Sequence, residues 1–169
     1  MPFLEPKQFR RAMSRFATGI TVVSVRSGER THGMTVNSFT SVSLDPPMVL
    51  WCAERGSRTL ALVQESGVYG VSVLGEHQVD LSQHFAGRWT EGVDRFAGID
   101  CFDGPATGCP LLRGALATFE CRLAMDQAVG DHHVLLARVE DVRMPEEPGS
   151  PLLYFGSRYC FLADPAATG

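Results

Sequence analysis

The sequence predicts a mainly β protein, an antiparallel barrel with short helical additions. Three observations lead there. Runs rich in β-branched and aromatic residues recur at hairpin spacing, among them two long alternating stretches, Arg113 to Met125 and His133 to Met144, around an Ala128 to His132 turn. Helical periodicity is confined to short segments. No GxGxxG follows a strand and no GxxxxGK[ST] occurs, so neither a doubly wound parallel sheet nor a P-loop is supported.

Taken in order, Phe9, Ala12, Met13 and Phe16 form the stripe of an amphipathic helix, with Pro6 near its start and Gly19 beyond its end. This helix is expected to pack on the core or to form an interface. Ile20 to Val25 is a strand, Ser27-Gly28-Glu29 a turn, and Thr31 to Val36 the return strand of a hairpin. Pro46-Pro47 stops the chain, and Met48 to Cys52 restarts it as a buried strand. Ser57 to about Gln64 is a short helix, Val68 to Leu74 a strand, and Gln78, Leu81, Ser82 and Phe85 mark a further short helix. A Gly- and Trp-containing region, Ala86 to Gly98, precedes the two long strands. Pro151 to Phe155 and Arg158 to Phe161 close the set.

A chain of 169 residues is long enough for one domain with its own core, assigned to residues 1–162, with 163–169 as a disordered tail. With 44% hydrophobic and 20% charged residues the composition is that of an ordinary globular protein. The net charge of -4, with no Lys/Arg cluster apparent, argues against nucleic acid or an anionic membrane as partner. The apolar runs are too short to cross a bilayer, and the charges within Met1 to Phe16 do not suit a secretory signal, so a cytoplasmic protein is expected. Five cysteines, an odd number without CxxC, suggest neither a disulfide framework nor a zinc site; they read as core fillers, and no metal is expected.

The stretch Gly33 to Leu50, GMTVNSFTSVSLDPPMVL, stands apart. Hydroxyls and an amide crowd an otherwise apolar run, as in a polar edge strand with a Ser/Thr-rich turn or in a loop that presents polar groups to a ligand. Ser57-Arg58-Thr59 after Gly56 favours the ligand, because a Ser N-cap and an Arg at a helix start make a ready anion site. His32, just before the stretch, is left without a role. At Gly130-Asp131-His132-His133 a simple β-turn with a polar tip is the reading from the residues alone. Neighbouring histidines on a strand diverge, which makes them poor metal ligands.

Five motifs in order, GMTVNSFTSVSLDPPMVL, CAERGSRT, LSQHFAG, GDHHVLLARVEDV and PLLYFGSRY, resemble the short-chain flavin reductases, the reductase components of two-component flavin monooxygenases. The resemblance spans essentially the whole chain. It implies an FMN-binding split β-barrel of Greek-key type, a homodimer with two sites at its interface, FMN or FAD as flavin, and NADH, with NADPH left open, as hydride donor. It also implies a partner monooxygenase reached by diffusing reduced flavin. Such chemistry asks little acid–base help from the protein, since the flavin itself accepts the hydride.

Residue by residue, the resemblance assigns the ring system to Thr35, Val36, Asn37, Ser38 and Ser41, and places Cys52 and Ala53 at a strand end against it. Ser57, Arg58 and Thr59 take a phosphate. Phe85 is a ring or adenine neighbour by its place in LSQHFAG, with plain core as its other reading, and Arg88 reaches a diphosphate if the flavin is FAD. Tyr154, Arg158 and Tyr159 lie near the flavin, and His132 sits beside the nicotinamide. Two rivals remain: an FMN-binding electron-transfer or sensor protein, and a flavin oxidase like the pyridoxamine-phosphate oxidases, for which basic residues are few.

Overall fold

The structure, a computed structural model, describes residues 4–88, 90, 92–147 and 149–163. Of the expected disordered tail, residues 164–169 therefore lie outside the described residues, as does Trp89 of the Gly- and Trp-containing region. The elements run α1 (Pro6–Met13), β1 (Thr18–Gly19), β2 (Thr21–Ser27), β3 (Arg30–Val36), β4 (Thr40–Leu44), β5 (Pro47–Glu54), α2 (Arg58–Ser66) and β6 (Val68–Val73). A 3-10 turn (Glu76–Gln78) leads into α3 (Val79–Ala86), then β7 (Cys101–Asp103), β8 (Pro110–Leu112), β9 (Ala117–Val129), β10 (His132–Arg143), β11 (Leu153–Phe155) and β12 (Arg158–Cys160).

Seven strands form one antiparallel sheet in the order β3-β2-β6-β9-β10-β5-β4. Its two edges, β3 and β4, are consecutive in the chain and joined only by residues 37–39. Laid flat, seven strands at ~4.8 Å spacing would hold those edges about 29 Å apart. Three linking residues reach only about 14 Å. The sheet must therefore curl into a barrel whose seam lies between β3 and β4, and Asn37, Ser38 and Phe39 cross that seam. Phe39 anchors the crossing by packing on Phe119 at 5.5 Å between ring centroids.

Val49, Trp51 and Ala53 of β5 and Leu135 and Ala137 of β10 point into the barrel, where Trp51 meets Tyr69 edge-on at 5.9 Å. Strand alternation puts Met48, Leu50 and Cys52 of β5, and Val134 and Leu136 of β10, on the opposite face, half-buried and outside this core. A second cluster, containing Ile20, Val22, Leu74, Phe85, Phe96, Leu112 and Leu152, fills the space between the sheet, α3 and the closing β11–β12 hairpin. Helix α2, capped by Ser57, whose Oγ accepts from Leu60 N at 3.3 Å, ends at Gly67 in the left-handed region.

Most sequence expectations meet their elements within a few residues. The long strand expected from Arg113 starts at Ala117, because Gly114, at φ +71°, turns the chain first. The pair β7–β8 was not anticipated, three residues being too few for periodicity to register. Core packing of the first helix is corrected: α1 buries no residue, and Phe9, Met13 and Phe16 are 54, 51 and 69% exposed. All five cysteines are free thiols, and burial pushes that of Cys121 up to about 12. Among the described residues no helix is long and apolar enough to cross a membrane, and no group of three or more His, Cys, Asp or Glu is placed to hold a metal.

Candidate functional site

The seam carries a cleft in two adjoining compartments. The inner one, about 240 Å³, lies between Ile20, Thr35, Val36 and Asn37 on one wall and Ser82, Ala86, Tyr154 and Tyr159 on the other. The outer one, about 380 Å³, continues from Asn37 and Tyr154 past Ser38, Thr18, Ser157, Arg10 and Phe16. A larger cavity of about 490 Å³ lies elsewhere, between His77, Phe102, Arg113 and Arg143, and shares none of these residues.

The inner wall is hydrogen-bonded in series. Thr35 Oγ1 donates to the carbonyl of Ser82 at 2.7 Å, and Ser82 Oγ meets Tyr159 Oη at 3.0 Å. Tyr159 in turn stacks edge-on with Tyr154 at 5.9 Å. On the seam, Ser38 Oγ accepts from Cys52 N at 3.0 Å, which ties the β3–β4 crossing to β5. Burial pushes the Cys52 thiol up, so it is a neutral packing group.

The cleft fits a flat heteroaromatic group with a polar edge. The side-chain amide of Asn37 is exposed and takes no hydrogen bond among the described residues, while Thr18 Oγ1 in the outer compartment is buried without a partner. An uncommitted amide and an orphaned hydroxyl in a cleft walled by two tyrosine rings are the complement of a flavin ring system.

A second grouping forms at the far end of β5. His132 stands opposite Glu54, and the turn before it is held by Arg55, whose N–H donates to the carbonyl of Asp131 at 2.9 Å and whose guanidinium donates to that of Gly130 at 2.8 Å. Asp131 Oδ1 lies 2.8 Å from His132 Nδ1, a contact that holds the Asp131 carboxyl below its usual range. His133 faces the other way and meets Asp126 at 2.6 Å, where Gln64 of α2 also donates at 2.6 Å. It belongs to the packing of α2. His32 is buried and bonded to Thr59 Oγ1 at 2.9 Å; burial, with Arg95 and Arg58 nearby, lowers its pKa to about 4.

Of the residues expected at the site, Thr35, Val36, Asn37, Ser38, Tyr154 and Tyr159 converge on the cleft. Others do not line it. Ser57 caps α2, and Arg58 borders a separate cavity of about 230 Å³ with Thr31 and Asp94. Thr59 is wholly buried, and its hydroxyl lies 2.9 Å from His32 Nδ1. Phe85 is wholly buried against Phe96 and Gly33, as in its core reading. Ala53 points into the barrel, and β5 ends one residue later, at Glu54. Ser41, Arg88 and Arg158 are exposed and line neither compartment. Sequence reasoning missed Ser82 and Thr18. Ser82 stands in LSQHFAG three residues before Phe85, and its signal was a hydroxyl on the buried stripe of a short helix.

Residues 13–163 match the family description "Flavin reductase like domain". The chain is 39% identical to the reductase component of 4-hydroxyphenylacetate 3-monooxygenase from Thermus thermophilus, covering 94% of this chain and 97% of that one. It is 43% identical to the NADH-dependent flavin reductase StyB of Pseudomonas fluorescens, covering 89% and 86%. Among solved structures, the NADH:FAD oxidoreductase SgcE6 of Streptomyces globisporus superposes with a TM-score of 0.89 at 36% identity, covering 97% of this chain and 99% of that chain.

Proposed function

The chain belongs to the flavin reductase like domain family, and on that premise we propose that it is an NADH-dependent flavin reductase that supplies reduced flavin to a partner monooxygenase. The observation that carries this reading is the seam cleft, with the uncommitted Asn37 amide, the orphaned Thr18 hydroxyl and the paired tyrosines Tyr154 and Tyr159. A bound flavin would supply the hydride acceptor. Thr35 to Ser38 orient its ring, and the first turn of α2, with Ser57 and Arg58, offers N–H donors and a cation to its phosphate. His132, its Nδ1 fixed by Asp131, keeps Nε2 for the nicotinamide carboxamide.

The proposed enzyme is a homodimer. Met48, Leu50, Val134 and Leu136 make a second apolar face on β5 and β10, which a second copy would cover. Its use of NADH makes it cytoplasmic.

The test is NADH oxidation by the purified protein with FMN, FAD or no added flavin, followed through the reduced-nicotinamide absorbance. Turnover that depends on added flavin is the expected result, and the faster flavin is its substrate. No turnover with either flavin overturns the reading.

A further inference from the structure

Helix α1 is left without a task by the flavin reading. Lys7, Arg10 and Arg11 on α1 and Arg15 just beyond it border one cavity of about 430 Å³, together with Ser14 and Ser157. The absence of a Lys/Arg cluster expected from the sequence is thereby corrected: four of the 15 Lys and Arg face one hollow in a protein of net charge -4. All four are exposed, and none forms an ion pair among the described residues. Asp131 is within electrostatic reach of Arg10, and the remaining excess of like charge around a concavity raises the local potential and draws an anion.

This cavity continues the cleft. Arg10, Ser14 and Ser157 line both it and the outer compartment, and Asn37 and Tyr154 line both compartments of the cleft. One trough therefore runs from Thr35 and Asn37 to the four cations. The helix is seated at its C-terminal end, where the carbonyl of Ser14 accepts from Gly156 N at 2.8 Å. The family match begins at Met13, so Lys7, Arg10 and Arg11 lie ahead of the matched residues.

We infer that the cation-lined end of this trough binds the diphosphate of a dinucleotide whose ring lies over the flavin at the mouth of the cleft, an assignment that rests on the flavin-reductase reading. The occupant is the nicotinamide dinucleotide, because the first turn of α2 already offers a place for the flavin phosphate. A flat ring at one end and a compact double anion beyond it match the order in which the trough presents aromatic, hydroxyl and guanidinium groups.

The experiment uses the full chain with Lys7→Gln/Arg11→Gln, set beside Arg113→Gln/Arg143→Gln, which removes the same charge around a separate cavity. Equilibrium affinity is measured for ADP-ribose, which has the diphosphate but no nicotinamide, and for FMN and FAD, alongside KM for NADH. In the first variant ADP-ribose affinity is expected to weaken about tenfold and KM for NADH to rise as much, with kcat and FMN affinity within about twofold and the second variant unchanged. Arg11→Lys restores most of the affinity. Loss of FAD affinity with ADP-ribose unmoved supports a diphosphate site and transfers it to the flavin. Affinities for ADP-ribose, NADH and FAD all within twofold of the parent overturn the proposal. Because ADP-ribose binding needs no turnover, a protein that binds it through these cations and yet fails to oxidise NADH would sink the reductase reading alone.

Discussion

The hydroxyl of Ser82 lies 3.0 Å from that of Tyr159, and this contact joins α3 to the closing hairpin across the back of the cleft. Ser82 is wholly buried, so removing its partner leaves a hydroxyl unpaired away from water. Tyr159→Phe is expected to cost about 1–2 kcal/mol in urea unfolding. The double change with Ser82→Ala should cost less than the sum of the two single changes. Strict additivity would mean that the two hydroxyls are not bonded.

His32 gives the protein an acid-sensitive element. Its folded pKa, about 4, lies below the unfolded value near 6.5, so between those limits the unfolded chain binds the extra proton. Stability should therefore fall as pH drops from about 6.5 to 4, by at most about 3 kcal/mol from this group, and be unaffected by it above that window. Urea midpoints for the parent and His32→Gln across this range are the check. Parallel curves would remove His32 as a cause.

Gly33 is hemmed in: a Cβ there would come within 2.7 Å of Phe85 Cε1 and 2.9 Å of Phe96 Cζ. Both rings are buried, so neither can swing clear. Gly33→Ala is expected to destabilise by about 1–3 kcal/mol. Because Thr35 is two residues along the same face of β3, flavin affinity should fall with stability. An unaltered thermal midpoint would show that the aromatic cluster has slack.

His132 should matter to the nicotinamide and not to the flavin. His132→Ala is expected to raise KM for NADH about tenfold with FMN affinity unchanged, and Asp131→Asn to produce part of that rise by releasing Nδ1. Steady-state kinetics at saturating FMN decide it. An equal loss of FMN affinity would place His132 against the flavin instead.

The proposed dimer can be broken from the outer sheet face. Leu136 is registered with Leu50, and Leu136→Glu puts a charge at the centre of that apolar surface. Sedimentation should show a dimer for the parent and a monomer for the variant. A monomeric parent would remove the dimer altogether.

Much of this molecule was legible in the sequence because its elements announce themselves locally. Gly28 and Gly130, both at positive φ, mark the two-residue hairpin turns, and Ser57 and Gly67 bracket α2. Alternation along β5 separates Trp51 from Cys52. What was not legible depends on how distant segments meet. Thr59 and Phe85 sit in motifs that read as ligand contacts, and only the packing of α2 on His32 and of α3 on Gly33 turns them inward. Ser82 and Thr18 become cleft residues because β11 and β12 fold back over them, a long-range pairing that no local pattern encodes. The charges of α1 lie within one short segment, but their common cavity exists only once Gly156 and Ser157 are brought beneath the helix.

The crossing at 37–39 closes the barrel, and two of its residues, Asn37 and Ser38, also line the cleft, so occupancy and mechanical integrity share them. A molecule seated there rivets the seam and raises the resistance of the whole barrel to unfolding, by an amount that grows with the logarithm of its concentration. When it departs, the rivet goes with it. A carrier that hands its cargo to diffusion would thus loosen along one line at every release, and limited proteolysis near Asn37 would keep time with the catalytic cycle.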